Sequence, residues 1–196
     1  IGPPSRPGVL ANEDCAFQTR YTKNPYLMAK SAMEDEVRRY AREGLPVVIV
    51  NPTAFLGPYD SRPSSGTQIL MIAKHLMPAY VDGLTNVIDV RDVAMGMVLA
   101  LERGRVGERY ILGHFNTTQR ELNRVIARVV GVSPPRIPMP FEIARWGSRV
   151  GEWAFTHILR RPPPVPAFFV EMLAHLQHYD CSKAIRELGL PQSPVE

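Results

Sequence analysis

Residues 46–58 read Pro46-Val47-Val48-Ile49-Val50-Asn51-Pro52-Thr53-Ala54-Phe55-Leu56-Gly57-Pro58. The unbroken β-branched run ending in Asn51-Pro52 is the pattern of a strand covered on both faces, since a half-exposed strand alternates apolar with polar residues. Just upstream, Asn24-Pro25 opens a helix. Asparagine caps helices well, and proline suits the first turn, where its missing N–H has no intrahelical partner anyway. Met33, Val37 and Tyr40 keep helical spacing up to a stop at Gly44. A helix leading straight into a buried strand is part of a parallel, helix-covered sheet.

Working outward, 1–23 reads as loop. A helix is expected over 67–77, a short strand over 86–90, and a helix capped by Asp92 and ending near Gly104. Arg109-Tyr110-Ile111-Leu112 is a second buried-type strand, closed by Gly113. Thr118 with Glu121 forms a capping box for a helix ending at Gly131. After Pro134-Pro135 only helices follow, over 141–159, 166–178 and 182–188. The expected fold is therefore α/β, the back half of a doubly wound parallel sheet followed by a smaller, mostly helical C-terminal cap. Residues 1–133 form the back half and 134–196 the helical cap. Two or three strands do not cover such runs on both faces, so partner strands are expected upstream of Ile1.

Composition narrows the function classes. Of 196 residues, 45% are hydrophobic and 21% charged, ordinary for a soluble domain, and no apolar run nears the roughly 18 residues of a membrane span. The net charge of +4 suits acidic small molecules but is too small and scattered for nucleic acid. Cys15 and Cys181 lie far apart, a poor disulfide framework and no metal pair, which points to a reducing, cytoplasmic compartment. No initiator Met precedes the Pro-rich opening, so the sequence reads as one entered mid-chain.

Tyr26 and Lys30 carry the chemistry. Four residues apart on a helix, they project from one face. A phenol is a poor base at neutral pH, titrating near 10, and a buried ammonium beside it stabilises the phenolate. Such a pair moves a hydroxyl proton while hydride moves to or from a nicotinamide. The spacing alone also fits a surface pair; its place on a helix feeding a buried strand favours chemistry.

Asn24-Pro25-Tyr26-Leu27-Met28-Ala29-Lys30-Ser31, the run 47–52 and Gly57-Pro58 resemble the second half of an extended short-chain dehydrogenase/reductase. The likeness continues through Asn86-Val87-Ile88-Asp89-Val90-Arg91-Asp92, Gly107-Glu108-Arg109-Tyr110-Ile111-Leu112-Gly113 and Tyr179-Asp180-Cys181-Ser182-Lys183. It is similar to the NAD-dependent epimerase/dehydratase branches, including hopanoid-associated sugar epimerase-like and dihydroflavonol-reductase-like proteins. The resemblance implies NAD or NADP as cofactor, Tyr26 as acid/base and Lys30 on the nicotinamide ribose. It implies the second half of a Rossmann-type doubly wound parallel sheet, with interleaved substrate-loop segments at about 57–90 and a small, mostly helical C-terminal substrate domain over 134–196. It implies that Pro52, Thr53, Ala54 and Phe55 line the nicotinamide, and that Asn51, the Gly57-Pro58 loop up to Asp60, and the segment around Pro78 to Asn86 face a small-molecule substrate. It also implies a homodimer through the helix over 26–44. The family's Gly-rich phosphate loop and catalytic Ser or Thr have no match here and are expected before Ile1, Ser5 being a poor substitute. Residues 1–196 alone are therefore expected neither to turn over nor to bind a dinucleotide tightly.

Other features read as structural. His175 and His178, sharing a helical face without a third ligand, are a polar surface and not a metal site. Asp92 is a cap, with Asp89 its local partner. Glu34, Asp35 and Glu36 beside Arg38, Arg39 and Arg42 make a solvated face of helical ion pairs. Ile143, Trp146, Val150, Trp153 and Ile158, with arginines nearby, read as a lid or subunit contact, with a membrane surface the lesser reading. The rival to an enzyme is a non-catalytic redox-sensing or assembly subunit, which has no use for the Tyr26/Lys30 pair.

Overall fold

The computed structural model describes residues 1–3, 8–17, 24–60, 66–161, 163, 167–175 and 177–194, the side chains of 168 and 169 excepted. In chain order the elements are α1 (Pro25–Arg42), β1 (Ile49–Pro52), β2 (Ala54–Leu56), α2 (Gly66–Ala73), β3 (Ala79–Tyr80), β4 (Leu84–Asp89), α3 (Val90–Arg103), β5 (Arg109–Leu112), β6 (Phe115–Thr118), α4 (Gln119–Val130), β7 (Ile137–Pro138), α5 (Phe141–His157), α6 (Ala167–Leu173) and α7 (Ser182–Leu188). The class is α/β with parallel strand pairs, as expected. Ser5 lies outside the described residues.

Strands β1 and β5 pair in parallel, Ile49 opposite Arg109 and Pro52 opposite Leu112. Strand β4 sits in a second sheet, parallel to β2 and antiparallel to β6. The expectation of one sheet holding 86–90 beside the other two strands is thus corrected. Val87 and Ile88 explain the arrangement: adjacent residues of a strand face opposite ways, and each enters a different core. Ile88 packs with Val93, Leu99, Tyr110, Leu112 and Leu188. Val87 packs with Ile72, Leu122 and Ile126. Helices therefore cover both faces, α3 and α7 on one side and α2 and α4 on the other.

Three boundaries differ from the sequence reading. Strand β1 begins at Ile49 rather than at Pro46, and Asn51-Pro52 lies inside it. Its ladder starts where its partner does: Ile49 N donates to Glu108 O (2.9 Å) and Thr53 N to Leu112 O (3.0 Å). Pro52 falls on the alternate position that does not donate to β5, so its missing N–H disturbs nothing there. All of β1 is only half-buried, not covered on both faces, because among the described residues β5 is its one paired neighbour.

The cap of α3 is Asp89, not Asp92. Strand β4 runs up to Asp89, whose backbone stays extended while its carboxylate accepts from Arg91 N at 2.7 Å. Asp92, one turn further in, is buried and accepts from Ser193 N (2.7 Å) and Ser193 Oγ (2.8 Å), fastening the C-terminal segment. The capping box of Thr118 and Glu121 forms as read, and Gly131 and Gly189 end their helices in the left-handed conformation.

Candidate active site

Helix α1 is oriented from its first turn. Asn24 is buried, and its Oδ1 accepts from Tyr26 N (3.0 Å) and Leu27 N (3.3 Å). With Pro25 fixing the entry, Tyr26 and Lys30 leave the same face, and Lys30 Nζ stands 5.7 Å from the Tyr26 ring centroid. Lys30 is exposed and forms no ion pair with a carboxylate among the described residues. The expected burial of this turn is not found: Tyr26 is 44% exposed and no residue of α1 is buried. The described chain covers none of α1 fully: α6 touches it, and its side-chain ties to β1 and β5 fall at Glu34.

Glu34 was expected to belong to a solvated face. Its carboxylate instead accepts from Arg38 Nη2 (2.9 Å), Arg109 Nη1 (3.0 Å) and Asn51 Nδ2 (3.1 Å). Burial pushes its carboxyl upward, but the bonds from Arg38 and Asn51 and the charges of Arg109 and Arg38 outweigh that and hold it below the usual range. Asn51, expected to face substrate, is tied to α1 through its Nδ2. Its Oδ1 is buried with no hydrogen-bond partner among the described residues.

The segment 52–58 lies at the carboxyl ends of β1 and β2. Pro52, Thr53 and Ala54 are half-buried, while Phe55, Gly57 and Pro58 are exposed. Thr53 is fixed from behind, donating through Oγ1 to Asn86 Oδ1 (2.8 Å). Asn86 was expected to face substrate but is 2% exposed and fully engaged. Its Oδ1 also accepts from His114 N (3.2 Å), and its Nδ2 donates to Asn116 Oδ1 (2.7 Å). Asn116 continues the chain by donating to Tyr179 O (2.8 Å). Asn86 therefore braces the strand ends, covered by β6, a strand unread in the sequence.

A family model described as the NAD dependent epimerase/dehydratase family matches residues 2–113. The chain belongs to the NAD-dependent epimerase/dehydratase family. It is 38% identical, over 96% of its length and 56% of the other's, to a Synechocystis sp. protein with the provisional name dihydroflavonol 4-reductase. It is 32% identical to the sterol demethylase protein B of Methylococcus capsulatus, over 84% of this chain and 51% of that one. The crystal structure of a nucleoside-diphosphate-sugar epimerase from Pseudomonas aeruginosa superposes with a TM-score of 0.80 at 34% identity, covering 98% of this chain and 58% of that one. The fold is thus the Rossmann-like one of this family, and the chain spans a little over half the length of these relatives.

The donor set fits one end of the family's nicotinamide cofactor. A phenol, an ammonium and a strand end with an exposed aromatic ring suit a ribose hydroxyl and a planar ring. The described residues include no glycine-rich turn between a strand and a helix of the kind that holds a diphosphate.

The remaining candidates resolve simply. Burial pushes the Cys181 thiol up to about 12, so it is a protonated packing residue. Helix α6 ends at Leu173, so His175 and His178 do not share a helical face, and the His178 ring bonds Thr117 O at 2.9 Å. The stripe on α5 points outward, Trp146 being 61% and Trp153 57% exposed. Among the described residues no helix is long and apolar enough to cross a membrane.

Proposed function

We propose that the whole protein is a nicotinamide-dependent epimerase/dehydratase or reductase acting on a hydroxyl or carbonyl of a sugar-like or other small substrate. The observation that carries this is the Tyr26/Lys30 pair, one turn apart on an accessible face with the ammonium beside the ring. Tyr26 removes the proton of the substrate hydroxyl, or returns it to a carbonyl oxygen. Lys30 holds a ribose hydroxyl of the cofactor beside the reacting phenol. Pro52, Thr53, Ala54 and Phe55 line the nicotinamide, with Thr53 held by Asn86; Gly57, Pro58 and Asn51 border the substrate. NAD or NADP supplies and accepts the hydride.

The substrate region comprises the segments at about 57–90 and the helices after residue 134. A homodimer through α1 agrees with its exposed Met33 and Tyr40 on either side of Val37 at helical spacing.

The test uses the whole protein with deuterium at C4 of NADH or NADPH. A reductase delivers the label to product and consumes cofactor; an epimerase or dehydratase interconverts substrate with cofactor unchanged overall. Light scattering on the same preparation reports the dimer. Failure to bind or turn over either cofactor with sugar-nucleotide, ketone and aldehyde substrates overturns the proposal.

A further inference from the structure

Tyr26, Lys30 and Glu34 follow one another at four-residue steps, so they climb one side of α1. Glu34 lies two turns, about 12 Å of helix rise, from Tyr26. The groups that hold its carboxylate come mostly from elsewhere in the fold. Asn51 belongs to β1 and directly precedes the segment Pro52-Thr53-Ala54-Phe55, and Arg109 opens β5. Arg109 is itself immobilised, donating through Nε to Glu13 O (2.6 Å) and through Nη2 to Cys15 O (3.3 Å), with its side chain 12% exposed. Arg38 completes the cage from the next turn of α1, giving Nε and Nη2 to the same oxygen at 3.1 and 2.9 Å. Guanidinium–carboxylate contacts of this kind are charge-assisted and directional, so they fix geometry as well as supply energy.

We infer that Glu34 is a positioning residue: through Asn51 and Arg109 it sets the height and rotation of α1 against β1 and β5, and hence where the Tyr26 hydroxyl stands relative to Pro52-Thr53-Ala54-Phe55. This rests on the reading of Tyr26 as the acid/base. Helix α1 has no buried residue of its own, so hydrophobic packing defines its rotation poorly. A polar clamp between the proposed proton-transfer helix and the proposed cofactor strand does what a core would do elsewhere. A displacement of about 1 Å at such a site reduces turnover on the order of 100-fold.

The test compares Glu34→Ala, Glu34→Gln and Arg109→Lys in the whole protein, with Tyr26→Phe alongside. In Glu34→Ala, kcat is expected to fall about 100-fold with KM for the cofactor little changed. Glu34→Gln keeps a carbonyl acceptor for Arg109 and Arg38, and its NH2 can donate to the Oδ1 of a flipped Asn51 amide, an oxygen that is otherwise unpartnered among the described residues, so it should recover most of the lost kcat. Arg109→Lys keeps the charge but loses the fork to Glu13 and Cys15, and should behave like the alanine variant; it and the glutamine variant carry the test if Glu34→Ala does not fold. Lower thermal stability with kcat unchanged in all folded variants makes Glu34 merely structural and overturns the inference. If Tyr26→Phe itself leaves turnover intact, the acid/base reading fails; if it abolishes turnover while the Glu34 and Arg109 variants do not, only the positioning role fails.

Discussion

Tyr26→Phe in the whole protein is expected to lower kcat by about 10²–10⁴-fold while leaving cofactor affinity and fold nearly unchanged. The substitution removes one oxygen and its proton. The ring that Lys30 approaches at 5.7 Å remains. So does the cap, since Asn24 bonds the backbone of residue 26 and not its side chain. The lost rate corresponds to about 3–5 kcal/mol of transition-state stabilisation at about 1.36 kcal/mol per decade. A phenyl group neither takes the hydroxyl proton nor returns it, so the loss should appear in kcat far more than in KM. A solvent isotope effect on the residual rate should also differ from that of the unmodified protein. A kcat within threefold of the original removes Tyr26 from the chemistry and favours the non-catalytic reading.

Helix ends were legible wherever a single local rule decides them. Asn24-Pro25 caps α1, Thr118 with Glu121 caps α4, and Gly131 closes it, all through contacts within four residues. Asp89 and Asp92 were not legible in this way. Both are suitable caps by residue type, and the choice turned on β4 extending to Asp89 and on a serine, Ser193, that lies far along the chain. The short strands β3, β6 and β7 carry no period of their own. Phe115-Asn116-Thr117-Thr118 becomes a strand because β4 offers it an antiparallel edge.

The same contrast holds in the site. The four-residue step from Tyr26 to Lys30 is visible in any helical reading. The engagement of Asn86 and the clamp on Glu34 depend on partners 17 to 75 residues away in sequence. Glu34 looked solvated because Arg38, a plausible helical partner, sits at the usual spacing and accounts for it locally. Only the fold brings Arg109 and Asn51 to the same carboxylate.

Gly113→Ala should be strongly destabilising. A Cβ there would stand 2.5 Å from Asn86 Oδ1, 2.7 Å from Cys181 Sγ and 2.8 Å from Thr53 Cγ2. None of these is the loose end of a flexible chain. Cys181 is buried, and Asn86 is held by Thr53, His114 and Asn116. Relief therefore means breaking the junction of β1, β4, β5 and β6. Overpacking contributes about 1–3 kcal/mol, and a buried hydrogen bond left unmade about 1–3 kcal/mol more. A loss of roughly 4 kcal/mol is expected, which for a domain of this size lowers Tm by roughly 10 °C. Gly147→Ala on α5 is the control: nothing lies within 4 Å of its added Cβ, and the exchange should stabilise the helix by about 0.5–1 kcal/mol. Because Thr53 hangs from the same junction, any Gly113→Ala protein that folds should also bind cofactor less tightly, if Thr53 lines the nicotinamide as proposed. Equal melting temperatures for the two variants would show that the strand ends yield to a methyl group, and that Asn86 does not hold Thr53 rigidly.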